Sequence, residues 1–141
     1  MPKGSNRCFR DSAGIQKQDA PRSQYIALVA SNTGKFFGTA VADSRAEALA
    51  EATSLCRTVQ ANTASTSDER EEECRFKVWI ENGCVALSRS HDMYYSLPEK
   101  FVAGMSTDTV MANASSESYG SCQAKGGESC FIVPESVRCT D

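Results

Sequence analysis

Apolar residues arrive along this chain in short runs whose periodicity changes from one run to the next. Residues 25–30 are continuously apolar, Ser31-Asn32-Thr33-Gly34 supplies turn chemistry, and residues 35–42 return as a second apolar run with Phe36, Phe37 and Val41. Two such runs around a turn tetrapeptide predict a β-hairpin. Ser44 stands three residues before Glu47, the spacing of a capping box, so a helix is expected to begin there. At 100° per residue, Ala48, Leu49, Ala52, Leu55 and Cys56 share one side, while Glu47, Glu51, Ser54 and Arg57 share the other. Residues 60–73 read as a polar loop ending in acidic residues. Residues 75–81 then alternate: Phe76, Val78 and Ile80 face one way and Arg75, Lys77, Trp79 and Glu81 the other, a strand covered on one side and open on the other.

The order then recurs. Val85-Ala86-Leu87 matches Ile26-Ala27-Leu28, residues 88–97 lead to the apolar residues 101–104, and Ser106 or Thr107 starts a helix over 107–121 whose serines blur its apolar stripe. Cys122, Cys130 and Cys139 take the places of Cys56, Cys74 and Cys84. Between Ala86 and Cys122 the second unit holds seven more residues than the first holds between Ala27 and Cys56. The expected fold is α+β: two tandem strand-strand-helix-strand units forming an antiparallel sheet of about six strands, with two helices packed on one face and disulfides as staples. The units span about 24–84 and 85–139 of a single domain (24–141), after a polar, flexible tail at 1–23. Pro134 marks the last strand as an edge or a bulge.

Composition narrows the classes. The chain has 141 residues, 40% of them hydrophobic, and a net charge of −3, with Lys and Arg scattered. That suits one compact core and offers no basic field for nucleic acid. No apolar run reaches the length of a membrane span. Seven cysteines without any C-x-x-C favour a disulfide framework over a metal or redox motif. The repeated order pairs Cys56 with Cys74, Cys122 with Cys130 and Cys84 with Cys139; pairing of Cys8 with Cys84 or Cys139 stays open. Residues 1–6 lack an apolar stretch, so the expectation is an exported protein whose signal has been removed, the rival being a cytosolic protein with free thiols.

The A-L/V-A strand at 27–30, Gly38, the S-R-A-E-A-x-A-x-A-x-x-x-C helix at 44–56, the C-R-x-x-V-W strand at 74–79 and N-G-C-V-A-L at 82–87 together resemble the domain of unknown function 4189 family of bacteria. The resemblance covers roughly residues 25–139, and the second unit departs from it more than the first. It implies an exported, disulfide-bonded protein of the periplasm, envelope or medium with no established catalytic residues. Some small exported proteins of this kind act as immunity proteins against antibacterial effectors.

Candidate chemistry is sparse. Ser90-His91-Asp92 spells a triad in letters, but adjacent residues cannot hold nucleophile, base and orienter in mutual reach. Cys8 with the single histidine, His91, is a weaker thiol-and-base pair than a tail staple or free thiol. The run 68–73 lacks the alternating ligands and central Gly of a calcium loop. No catalytic residue, metal or cofactor is therefore expected. The expected activity is protein binding: a periplasmic or secreted immunity or inhibitor protein that occludes an effector enzyme of the peptidoglycan hydrolase or lipase type. The loop at 88–100 would fill the effector's cleft through His91, Asp92, Met93, Tyr94 and Tyr95, while Asp68, Glu69, Glu71 and Glu72 steer a basic surface. Trp79 is a further anchor, or else is covered by the second unit or the tail, and burial is the expected outcome. The rivals are a secreted enzyme or small-ligand protein with a cleft between the units, and a structural envelope module.

Overall fold

The computed structural model describes residues 23–90 and 94–140, so the expectations for the tail, Cys8, His91, Asp92 and Met93 lie outside the described residues. Strand β1 (Tyr25–Ala30) is the centre of a three-stranded antiparallel sheet, flanked by β2 (Phe37–Ala42) and β3 (Phe76–Glu81). Both its faces are covered, which is why its sequence is apolar without alternation. Ser31 closes the hairpin: its N–H donates to the Phe36 carbonyl at 2.8 Å and its hydroxyl accepts the Phe36 N–H at 3.1 Å.

Helix α1 (Arg45–Thr63) starts at Ser44, whose hydroxyl accepts the Glu47 N–H at 3.2 Å. It lays Ala48, Ala52 and Cys56 on Ala27 and Val29. Leu55, expected on that face, sits on its flank and is 45% exposed. The region expected as one polar loop is more ordered than that: α1 runs on to Thr63 and a one-turn helix, α2 (Ser67–Arg70), follows.

The second half is built from shorter pieces. β4 (Gly83–Val85) pairs with β7 (Glu99–Lys100) and β9 (Arg138–Cys139), and β5 (Ser88–Arg89) pairs with β6 (Tyr94–Tyr95) and β8 (Phe131–Ile132). Helix α3 (Thr107–Ala124) is capped by Ser106. Among the described residues, three antiparallel sheets of three strands thus replace the expected sheet of about six. Two local causes are visible. Asn82 adopts φ 52° and turns the chain between β3 and β4. Between β4 and β5, hydroxyls replace ladder partners: Ser96 and Ser118 donate to the Ala86 carbonyl, and Ser136 accepts the Leu87 N–H at 2.8 Å. Pro134 opens a 3₁₀ turn (Pro134–Ser136) that separates β8 from β9, rather than lying within a strand.

The helices also sit differently from the expectation of one shared face. Ile26, Leu28 and Ala30 pack with Val85, Leu87 and Val133, whereas Cys84 and Ala86 pack with Val110 and Ala114 of α3. The strands of both halves therefore lie between α1 on one outer side and α3 on the other. Cys56–Cys74, Cys84–Cys139 and Cys122–Cys130 are bonded, the pairs that the repeated order predicts.

Candidate functional site

The acidic segment is held from behind. Gln60, buried in the last turns of α1, donates through Nε2 to the carbonyls of Glu69 at 2.8 Å, Arg70 at 3.2 Å and Glu72 at 2.6 Å. Three backbone acceptors on one side-chain amide, with the Cys56–Cys74 bond beside them, leave the segment little freedom.

Its acidic side chains divide into three groups. Glu69 accepts the Ser65 N–H at 2.8 Å and is ion-paired with Lys35; the Lys35 hydrogen bond, followed by that from Ser65, holds its carboxyl at a pKa of about 2. Glu72 accepts from the Thr33 hydroxyl at 2.8 Å and the Thr33 N–H at 3.3 Å. Both therefore turn toward the β1–β2 turn. Glu73 pairs with Arg75 at 3.3 Å. Asp68 and Glu71 remain exposed to solvent.

The same turn receives the second candidate segment. Tyr94 stands edge-on to Phe76, with ring centroids 5.0 Å apart, and lies against Gly34. Gly34 has φ 76°, and a Cβ there would come within 2.7 Å of the Tyr94 ring, so the position suits glycine on both counts. Burial, with the Glu72 charge second, raises the Tyr94 hydroxyl's pKa. Three segments far apart in sequence, at residues 33–35, 69–72 and 94, thus form one corner. Tyr94 holds that corner together as a half-buried packing residue; Tyr95 is half-buried beside it on β6.

Trp79 lies elsewhere, and the expectation of burial is corrected: it is 39% exposed. Helix α1 packs over β2 and β1 and barely reaches β3, so the outer face of β3 stays open. There Trp79 is flanked by Tyr25, 6.1 Å between ring centroids, and by the Arg45 guanidinium, 4.9 Å from its ring. Sequence reasoning missed Gln60, Thr33, Lys35 and Arg45. Gln60 had a signal, since it continues the four-residue steps of Ala48, Ala52 and Cys56 along the buried stripe. Thr33 and Lys35 had none, because only the tertiary fold brings the turn to the acidic segment.

Two further features complete the surface. An open groove of about 430 Å³ runs along the seam of the halves, lined by Phe37, Leu55 and Val59 with Glu135 and Arg138 at its rim. In the second half, burial, followed by the Glu117 charge and a hydrogen bond that the protonated Glu99 donates to Glu117, raises the pKa of Glu99. Among the described residues no helix is long and apolar enough to cross a membrane.

A family match covers residues 25–136, and the chain belongs to the family described as Domain of unknown function (DUF4189). No curated protein and no solved structure matches the chain.

Proposed function

We propose that this DUF4189 member is a non-enzymatic, exported binding protein, in its most concrete form a periplasmic immunity or inhibitor protein that blocks an antibacterial effector of the peptidoglycan hydrolase or lipase type. The observation that carries the reading is the corner itself. Gln60 fixes the backbone of the acidic segment, Lys35 and Thr33 hold the Glu69 and Glu72 side chains, and Asp68 and Glu71 are left outward on the segment whose Glu72 faces Tyr94. Acidic groups held in place lose little freedom on binding, and they speed encounter with a basic partner. Three disulfides suit an oxidising compartment outside the cytosol. The reading includes descent of both halves from one strand-strand-helix-strand unit, supported by a bond from each long helix to the strand region after it, Cys56–Cys74 and Cys122–Cys130.

The test compares two baits on the source organism's envelope fraction: the oxidised chain and an Asp68→Lys, Glu71→Lys, Tyr95→Ala variant. The reading expects one hydrolase or lipase, stoichiometric on the first bait and lost from the second. Equal retention by both baits, or none by either, removes the corner as the binding surface. Tyr94 is left unchanged because its packing would confound the result.

A second reading is favoured by the seam groove, whose apolar walls and Arg138 suit a small apolar carboxylate. It expects saturable quenching or heat on titration with a medium-chain fatty acid, and loss of that signal in Leu55→Glu.

A further inference from the structure

The first sheet has two edges, and they are treated differently. At β2, Arg138 Nη1 donates to the Thr39 carbonyl at 3.0 Å and the Pro134–Ser136 turn packs alongside, so that edge is covered. At β3 the order β2-β1-β3 leaves the outer side without a strand among the described residues. The Asn82 N–H donates to the Gln24 carbonyl at 2.8 Å, which sets the antiparallel alternation: Ile80, Val78 and Phe76 hydrogen-bond to β1, and the backbone groups of Lys77, Trp79 and Glu81 face away from it. Past Glu81 the edge closes, because the Phe101 N–H takes the Asn82 carbonyl at 2.8 Å. What remains is a short, defined row of donors and acceptors without a partner among the described residues, a template for one more strand.

We propose that β3 of a second copy of this chain occupies that edge, pairing antiparallel about a two-fold axis at Trp79. In this register Trp79 opposes its own counterpart and Lys77 opposes Glu81 on both sides of the axis. All three outward-facing backbones are used, and both cross-strand pairs carry opposite charges. The neighbouring symmetric register is poorer. It sets Lys77 against Trp79 and gives Glu81 to Arg75, which already holds Glu73 at 3.3 Å. The centre of the contact is Trp79 with Tyr25 and Arg45 around it, the aromatic and arginine composition of interface centres. Asp68, Glu71 and Tyr95, the residues that the effector-binding test changes, lie outside this ladder, so the proposal stands apart from the effector-binding reading and fails or holds independently of it.

The test is sedimentation velocity of the full oxidised chain carrying Cys8→Ser, which removes the odd thiol as a cross-linker. Over roughly 5 to 500 µM, a range that captures micromolar self-association, a monomer–dimer equilibrium is expected. Lys77→Glu or Glu81→Lys alone should weaken the dimer by about tenfold or more, because each substitution places like charges opposite at two symmetric positions. Lys77→Glu with Glu81→Lys together should restore it. A chain that stays monomeric throughout, a dimer indifferent to Lys77→Glu, or a double variant no better than the singles, with near-UV circular dichroism unchanged, would overturn the proposal.

Discussion

The two halves of the molecule meet the same requirement, a central strand covered on both faces, by different means. In the first half, β1 is an unbroken strand of six apolar residues whose backbone is paired along its whole length by β2 and β3. In the second, the segment from Gly83 to Arg89 is split into β4 and β5, and side-chain hydroxyls satisfy the backbone at the break. Ser118 donates to the Ala86 carbonyl at 3.1 Å and accepts the Leu97 N–H at 2.9 Å, while Ser136 takes the Leu87 N–H. Ser96, Ser118 and Ser136 of the second half are therefore core residues. They do there what strand neighbours do in the first half: the Ala86 carbonyl takes two hydroxyls and the Leu87 N–H depends on one.

The largest effects should come from the staples. In the chain-entropy picture the Cys84–Cys139 bond, spanning 55 residues of sequence, is worth about 4 kcal/mol, Cys56–Cys74 about 3 and Cys122–Cys130 about 2.5. Paired Cys→Ala variants, unfolded in urea, should fall in that order. A break of Cys56–Cys74 costing more than one of Cys84–Cys139 would mean that native packing around Cys56 and Cys74, and not loop length, sets the order.

Single substitutions sharpen the contrast at the next level. Gly38→Ala drives a Cβ to within 2.7 Å of the Cys56 backbone nitrogen, so α1 must move off β2; a loss of about 3 kcal/mol is expected. Ser136→Ala adds no bulk but leaves the buried Leu87 N–H unpaired, for a loss of about 1 to 3 kcal/mol. Chemical denaturation of both variants checks the pair. A harmless Ser136→Ala would show that the break between β4 and β5 needs no hydroxyl.

The smallest effects differ in sign between the halves. Glu69 has its pKa lowered to about 2 by Lys35 and Ser65, so its stabilisation is present above the ordinary carboxyl value and is lost as pH falls from there toward 2. Glu99 has its pKa raised by burial and by Glu117, so the fold binds its proton more tightly than the unfolded chain does. Its contribution is most favourable in acid and declines as pH rises through the raised value. Thermal melts across pH should show Glu69→Gln lowering the melting temperature at neutral pH and converging with the parent in acid. Glu117→Gln should raise it at neutral pH and lose that advantage in acid. Matching slopes in both variants would contradict the opposition.

How much of this was legible in the sequence follows the same division. β1, β2, α1 and β3 could be read because burial on one or both faces leaves a clean period in the residues, and Ser44 marked the start of α1. The cysteine pairs could be read from the positions of the cysteines along the chain, and the three expected pairs are the bonded ones. The second half resisted because Ser118, Ser96 and Ser136 look polar and exposed while being buried, and because strands of two residues have no period to detect. The candidate site was half legible. Composition picked out the acidic run and the tyrosines, but only the fold brings both to the Gly34 turn, directs Glu69 and Glu72 inward, and leaves Trp79 on an uncovered strand.

The most direct test of the binding account is a titration of activity. A hydrolase or lipase retained from the envelope fraction is purified and assayed against increasing amounts of the oxidised chain. The account predicts that activity falls linearly to near zero at one equivalent, and that the Asp68→Lys, Glu71→Lys, Tyr95→Ala variant leaves it untouched. Full activity in the presence of excess wild-type chain would contradict it.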